Sequence, residues 1–260
     1  MEEGVALSQR RRRIVGRLQQ RKTREREGAV LVEGVRAVTE ALAAGATVRF
    51  GVTSPRLEGL QDGTELRQRL FDTGVDLGLV DDAEMEEITD TEHPQGIVVV
   101  CDQPSPDETL LRAGGRYLVL DAVQDPGNVG TLIRAATAFA LDGIVALDGT
   151  ADPWGTKAVR ASAGMVFRQN VLCADAERAL GLLSERGLAI LVADMAGRDV
   201  ASLPRPDGWA LVVGNEGAGA RAALASAAHA TVRVPMPGPA ESLNVGVAAA
   251  VLLYALICTP

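Results

Sequence analysis

The chain has 260 residues, 47% of them hydrophobic and 23% charged, the composition of a soluble globular protein with enough length for one or two packed domains. Aromatic residues make up only 3%, which excludes a nucleic-acid surface built mainly on rings stacked against bases. The formal charge of −8 argues, as an average, against a polyanionic partner, and the three scattered cysteines, Cys101, Cys173 and Cys258, exclude a disulfide framework or a cysteine metal site and read as small buried hydrophobes.

In chain order, the opening MEEGVALSQRRRR lacks the apolar stretch and small-residue cleavage site of a secretory leader, so a cytoplasmic location is expected. From Gln9 to Gly28 nine side chains are Arg or Lys and two are Glu. Such a segment suits a phosphate backbone through counterion release, and it equally suits a solvated helix face or a disordered arm. VRAVTEALAAG predicts a helix ending at Gly45, VRFGVT a strand, TELRQRLFDTG a helix with Gly74 past its end, and VDLGLV and GIVVV two more strands. The acidic, proline-bearing CDQPSPDETL reads as a linker, which puts domains at 1–105 and 106–260.

Beyond the linker, RYLVLD, GIVALD, LAILVAD, WALVVG and TVRVP read as strands, and NVGTLIRAATAFAL, KAVRASAGMVF and SLNVGVAAAVLLYALI as helices. The strands are apolar throughout rather than alternating, which implies a parallel sheet covered on both faces and an α/β domain with its ligands at the carboxyl ends of the strands. The last apolar run, VGVAAAVLLYALIC, is shorter than the roughly 20 residues that a bilayer requires and reads as a core or interface helix.

Three strands end in polar, glycine-containing turns. WALVVGNEGAGA offers Gly214, Gly217 and Gly219 in the order G-x-x-G-x-G, the wrong order for a dinucleotide fingerprint, and Glu216 sets a carboxylate where phosphates would have to sit. LDAVQDPGNVGTLIRAA places Asn128 and Arg134 on one helix, and VPMPGPAESLNVGVAAA puts Ser242 at an N-cap position for the last helix. Taken singly, Asn128 and Ser242 equally suit helix caps, Arg134 a surface ion pair and Asn244 a turn; their joint occurrence at three strand ends of one sheet points to a site.

These stretches resemble the three signature motifs of the SpoU (TrmH-type) RNA 2′-O-ribose methyltransferases of the SPOUT superfamily: Asn128 through Arg134, Gly214 to Gly217, and Pro235 to Val245. KAVRASAGMVF is similar to the segment between the first two motifs, and REREGAVLVEGVRAV and HPQGIVVV resemble the beginning and end of a small α/β substrate-binding module that precedes the catalytic domain. The resemblance implies a C-terminal SPOUT domain with a parallel sheet and trefoil knot, S-adenosylmethionine as cofactor, RNA as partner, a homodimer, and neither metal nor membrane. It assigns cofactor contacts to Gly214, Val234, Met236 and Leu243, and catalysis to Arg134, Asn128, Glu216, Ser242 and Asn244. Because a guanidinium normally stays protonated, Arg134 either clamps the phosphate beside the target ribose or acts as base after unusual activation. The histidines, His93 and His229, are expected to be structural, His229 partly buried. The two-domain form favours 23S ribosomal RNA over transfer RNA. A nucleotide-dependent oxidoreductase accounts for the glycine turn alone, and a non-catalytic RNA-binding or ribosome-assembly protein for the basic segment and first domain alone.

Overall fold

The computed structural model describes residues 5–89 and 91–259, so the leaderless reading of the MEEG start falls outside the described residues. The chain divides into two compact units, Met1–Ser105 with Trp154–Arg168, and Pro106–Pro153 with Gln169–Pro260.

The first unit contains β1 (Val5–Ala6), α1 (Gln9–Leu18), α2 (Arg21–Glu27), β2 (Ala29–Glu33), α3 (Val35–Ala43), β3 (Val48–Thr53), α4 (Gly63–Asp72), β4 (Leu77–Leu79), α5 (Asp82–Ile88) and β5 (Ile97–Asp102). Its mixed sheet has the order β1-β4-β3-β5-β2, with β5 antiparallel to both β2 and β3. The basic segment is folded into this unit rather than forming an arm. Ser8 caps α1 by accepting from the Arg11 amide, and Val15 and Leu18 are fully buried. Arg11 pairs with Asp76 and covers the Phe50 ring, while the buried Arg24 donates to the carbonyls of Leu18 and Gln19. Arg10, Arg13 and Arg17 are left on the exposed side of α1, at helical spacings of three and four.

Trp154–Arg168 belongs to this unit through specific contacts. Arg160 donates to Glu33, a carboxylate only 4% exposed, and to Thr91, and Arg168 pairs with Glu40. The helix expected over 157–167 is broken: α7 spans only Thr156–Ala161 and a 3₁₀ turn covers Met165–Arg168. Between them Ala163 and Gly164 have φ of 52° and 81°, left-handed values that end a helix. A side chain on Gly164 would also strike the Ala37 carbonyl oxygen.

The second unit contains β6 (Arg116–Leu120), α6 (Pro126–Ala138), β7 (Gly143–Leu147), β8 (Val171–Ala174), α8 (Ala176–Glu185), β9 (Ala189–Asp199), β10 (Trp209–Val213), α9 (Ala222–Ser226), β11 (Ala230–Arg233) and α10 (Val245–Cys258). All six strands are parallel in the order β11-β9-β10-β6-β7-β8. β7 and β10 are buried along their whole length, as expected for strands covered on both faces. The chain leaves β6 toward β7 on one side and later returns to place β10 on the other, so the strand order switches between β6 and β10. That is where open α/β sheets open a crevice.

Several local expectations change. Asp125, not Asn128, caps α6, with Pro126 in its first turn, and Asn244 rather than Ser242 caps α10 by accepting from the amides of Gly246 and Val247. Cys101 is buried, and burial beside Asp102 pushes its thiol up to about 12, but Cys173 and Cys258 are exposed. Among the described residues no helix is long and apolar enough to cross a membrane.

Candidate functional site

The middle of β9 and the turns that follow β10 and β11 line one cavity of about 600 Å³, a volume typical of small-molecule sites. Gly214, Glu216, Val234, Met236, Ser242, Leu243 and Asn244 all contribute to its wall. The chain reaches this arrangement through backbone closure. A Cβ on Gly214 would lie 2.2 Å from both the Ala220 nitrogen and the Gly219 carbonyl carbon, so only glycine lets the two limbs of the loop touch.

The loop holds its own shape. Asn215 and Gly219 exchange backbone hydrogen bonds of 3.0 and 2.9 Å, and the Asn215 side-chain oxygen accepts from the amides of Gly217 and Ala218 at 3.0 Å each. Those amides are therefore committed inside the loop and do not form a phosphate cradle. The Asn215 Nδ2 donates to the carbonyl of Ala122, and Arg221 closes the loop by placing its backbone amide and Nε on Asp121, 1% exposed, and another nitrogen on Asp148. Although burial opposes its charge, the hydrogen bonds it donates to Asp148 and Asp121 hold the Arg221 guanidinium above its ordinary pKa. The ties to Ala122 and Asp121 lead to the residues that precede α6, so the glycine loop is fixed to the segment carrying Asn128.

A directed chain of hydrogen bonds joins the three turns. The amides of Gly246 and Val247 donate to Asn244 Oδ1, Asn244 Nδ2 donates to Asn128 Oδ1 at 2.9 Å, and Asn128 Nδ2 donates to Glu216 Oε1 at 2.8 Å. Every donor points toward Glu216, with the positive end of α10 at the far end of the chain. Asn128, Glu216 and Asn244 are thus brought together, and Glu216, Asn244 and Ser242 share the cavity wall.

Arg134 is placed differently. Asn128, Thr131 and Arg134 follow at steps of three along the outer side of α6, with Thr131 and Arg134 exposed. Six positions advance about 9 Å and turn the helix by about 240°, so Arg134 stands apart from the cavity lining. It has no protein hydrogen bond or ion pair among the described residues. His229 is exposed rather than partly buried; its Nδ1 accepts from the Ile190 amide at the amino end of β9, the opposite end from the cavity. His93 is also exposed. Among the described residues no group of three or more His, Cys, Asp or Glu is arranged to hold a metal ion. The roles of Asn215, Asp121 and Arg221 were not read from the sequence, because nothing local tells which partner a loop side chain will find.

The SpoU rRNA Methylase family model matches residues 115–254, and the model of the MRM3-like substrate binding domain matches residues 9–99. A Bacillus subtilis protein named 23S rRNA (guanosine(2553)-2′-O)-methyltransferase RlmP is 36% identical over 92% of this chain and 93% of its own. Among solved structures, an AdoMet-bound rRNA methyltransferase from Sinorhizobium meliloti superposes with a TM-score of 0.82 at 29% identity, covering 98% of this chain and 97% of that one. The SpoU methyltransferase AviRb from Streptomyces viridochromogenes in complex with AdoMet gives 0.83 at 26% identity, covering 95% and 97%.

Proposed function

The chain belongs to the SpoU rRNA methylase family, and on that premise we propose that it transfers the methyl group of S-adenosylmethionine to the 2′-hydroxyl of a ribose in 23S ribosomal RNA. The observation that carries the reading is the hydrogen-bonded chain Asn244–Asn128–Glu216 at the edge of a donor-sized cavity. The cavity suits this donor: its wall at Gly214 is bare backbone, and the Glu216 carboxylate on its lining suits a cation and repels a pyrophosphate. Gly214, Val234, Met236 and Leu243 would hold the donor.

Bound S-adenosylmethionine supplies a methyl carbon activated by its sulfonium, which becomes a neutral thioether when the ribose oxygen takes the methyl. The protein must aim that oxygen and draw its proton away. Glu216 spends Oε1 on Asn128 and keeps Oε2 to accept the hydrogen bond of the 2′-hydroxyl and, as the methyl transfers, its proton. Ser242 binds the neighbouring phosphate or hydroxyl, and Asn244 and Asn128 hold Glu216 in place. Arg134, exposed and unpaired outside the donor cavity, clamps the phosphate beside the target ribose; this role needs no deprotonated guanidinium. Methyl transfer from a sulfonium needs no metal, and none is proposed.

The exposed Arg10, Arg13 and Arg17 on α1 supply the sequence-independent part of RNA binding. Since α1 is anchored by Val15 and Leu18, substitution tests this better than truncation. Changing the three arginines to Gln should flatten the dependence of log affinity on log salt by about 2; an unchanged slope would make this helix face a bystander.

The protein is proposed to act in the cytoplasm as a homodimer. Val247, Val251 and Tyr254 form an exposed apolar stripe on α10, with Val247 and Tyr254 49% and 54% exposed, next to α6, where Phe139 at the C-cap meets the Tyr254 ring. The C-terminal knot belongs to the same proposal, supported by the family and by the approach of residues 214–219, of Val234 and Met236, and of residues 242–245 to a single cavity. Incubating purified protein with unmodified 23S RNA and methyl-labelled donor tests the function: a labelled 2′-O-methyl ribose is expected, and label on a base, or none, would refute it.

A further inference from the structure

One carboxylate on the cavity wall has no role in this scheme. β9 pairs with β11 in register up to Val192–Thr231, and pairing then resumes at Arg198–Val232. One residue step on β11 is therefore matched by six on β9, and residues 193–197 are thrown out of the ladder. The bulge is pinned at its far side by Gly197, where a Cβ would lie 2.7 Å from the Thr231 carbonyl carbon and the Val232 nitrogen. Bulges beside active sites re-aim side chains, and this one carries Ala193, Asp194 and Met195 onto the cavity lining. Asp194 fixes itself by accepting from the Ala196 amide with Oδ1 at 2.8 Å. Its Oδ2 has no protein partner among the described residues.

β9 is the direct neighbour of β10, the strand that ends in the glycine loop. A carboxylate suits nucleoside hydroxyls because it only accepts and the hydroxyls donate, the pairing that dinucleotide-binding sheets use beside their own glycine loops. Met195, 48% exposed, follows it in the bulge and offers a polarizable thioether to a purine face. The reacting end of the donor must lie at Glu216, which leaves the bulge for its nucleoside end.

We infer that Asp194 is a donor-binding residue whose carboxylate, carried into the cavity by the bulge in β9, accepts hydrogen bonds from the ribose hydroxyls of the donor's adenosine. This rests on the methyltransferase reading.

Titration calorimetry on the full chain tests it with three probes: S-adenosylmethionine, S-adenosylhomocysteine, and the 2′,3′-dideoxy analogue of S-adenosylhomocysteine. Asp194→Asn keeps the oxygen that holds the Ala196 amide, and an unchanged melting temperature will verify that the fold survives. The variant should bind both natural ligands about tenfold more weakly, by similar factors, as expected for loss of a charge-assisted hydrogen bond. It should bind the dideoxy analogue as well as the parent protein does. Asp194→Ala should weaken the natural ligands at least as much. Unchanged binding of both natural ligands would overturn the inference. So would a loss confined to S-adenosylmethionine, which would put the carboxylate beside the sulfonium, or an equal loss for the dideoxy analogue. If the parent protein bound neither natural ligand, the methyltransferase reading itself would fall, an outcome separate from normal parent binding with an indifferent variant.

Discussion

The two ends of the parallel sheet in the second unit use the same kinds of side chain and differ in what those side chains are committed to. At the amino ends every named polar group is closed. Tyr117, 1% exposed, donates to the Leu110 carbonyl and accepts from the Arg112 amide; Asp142 takes the Arg112 guanidinium and the Arg116 amide; His229 accepts from Ile190. At the carboxyl ends the network stops short of closure: Glu216 has an oxygen to spare, Asp194 has another, and Arg134 has no protein partner among the described residues. Closed groups hold a fold, and open ones around a cavity hold a ligand. Substitutions at the two ends should therefore separate stability from activity.

The largest separation is expected at Arg134. Replacing it by Ala should lower turnover by about 100-fold or more, the usual cost of removing a positioning or charge-stabilising donor, while donor affinity and melting temperature stay the same. A variant retaining most of its activity in a single-turnover assay would break the comparison at its strongest point. Gly214→Ala comes next. The new methyl cannot fit between the limbs of the loop, so calorimetry should show donor affinity falling by about 100-fold as the backbone shifts. Full donor binding by that variant would mean that the loop is not the donor wall.

The amino end should show the reverse pattern. Tyr117→Phe removes two hydrogen bonds and should cost about 1–2 kcal/mol in denaturant titrations, with kcat unchanged. Burial, its largest cause, raises the Tyr117 pKa above 10.0 despite the Arg112 amide. The folded state thus holds the phenol proton more tightly than the unfolded chain. This contribution to stability is fully present below pH 10 and is lost as the pH rises from there through the folded value. The Phe variant should lack that alkaline part of the stability curve, and a parent curve with no such decline would show that the phenol is not buried in solution.

Much of this contrast was legible before any coordinates. Asn128, Gly214, Glu216 and Asn244 stand out in the sequence because each sits where an apolar strand gives way to a polar turn, and period and turn chemistry are local properties. What the sequence hid depends on distant partners. KAVRASAGMVF has helical periodicity, yet Ala163 and Gly164 turn left-handed where the segment packs against Ala37. Ser242 and Asn244 are both good caps, and only the bond from Asn244 to Asn128, 116 residues away, selects the second. Asp194 reads only as the last residue of the strand LAILVAD, because its ejection onto the cavity wall depends on the register with β11. The exposure of Cys173 and Cys258 could not be inferred from residue type, which gives only a tendency toward burial.

The account stands or falls on the position of the transferred methyl. Unmodified 23S RNA incubated with the purified protein and labelled S-adenosylmethionine, then digested to nucleosides and resolved by mass spectrometry, should yield one 2′-O-methylated nucleoside, and the Arg134→Ala protein should yield almost none. A methylated base, or equal product from the variant, would contradict it.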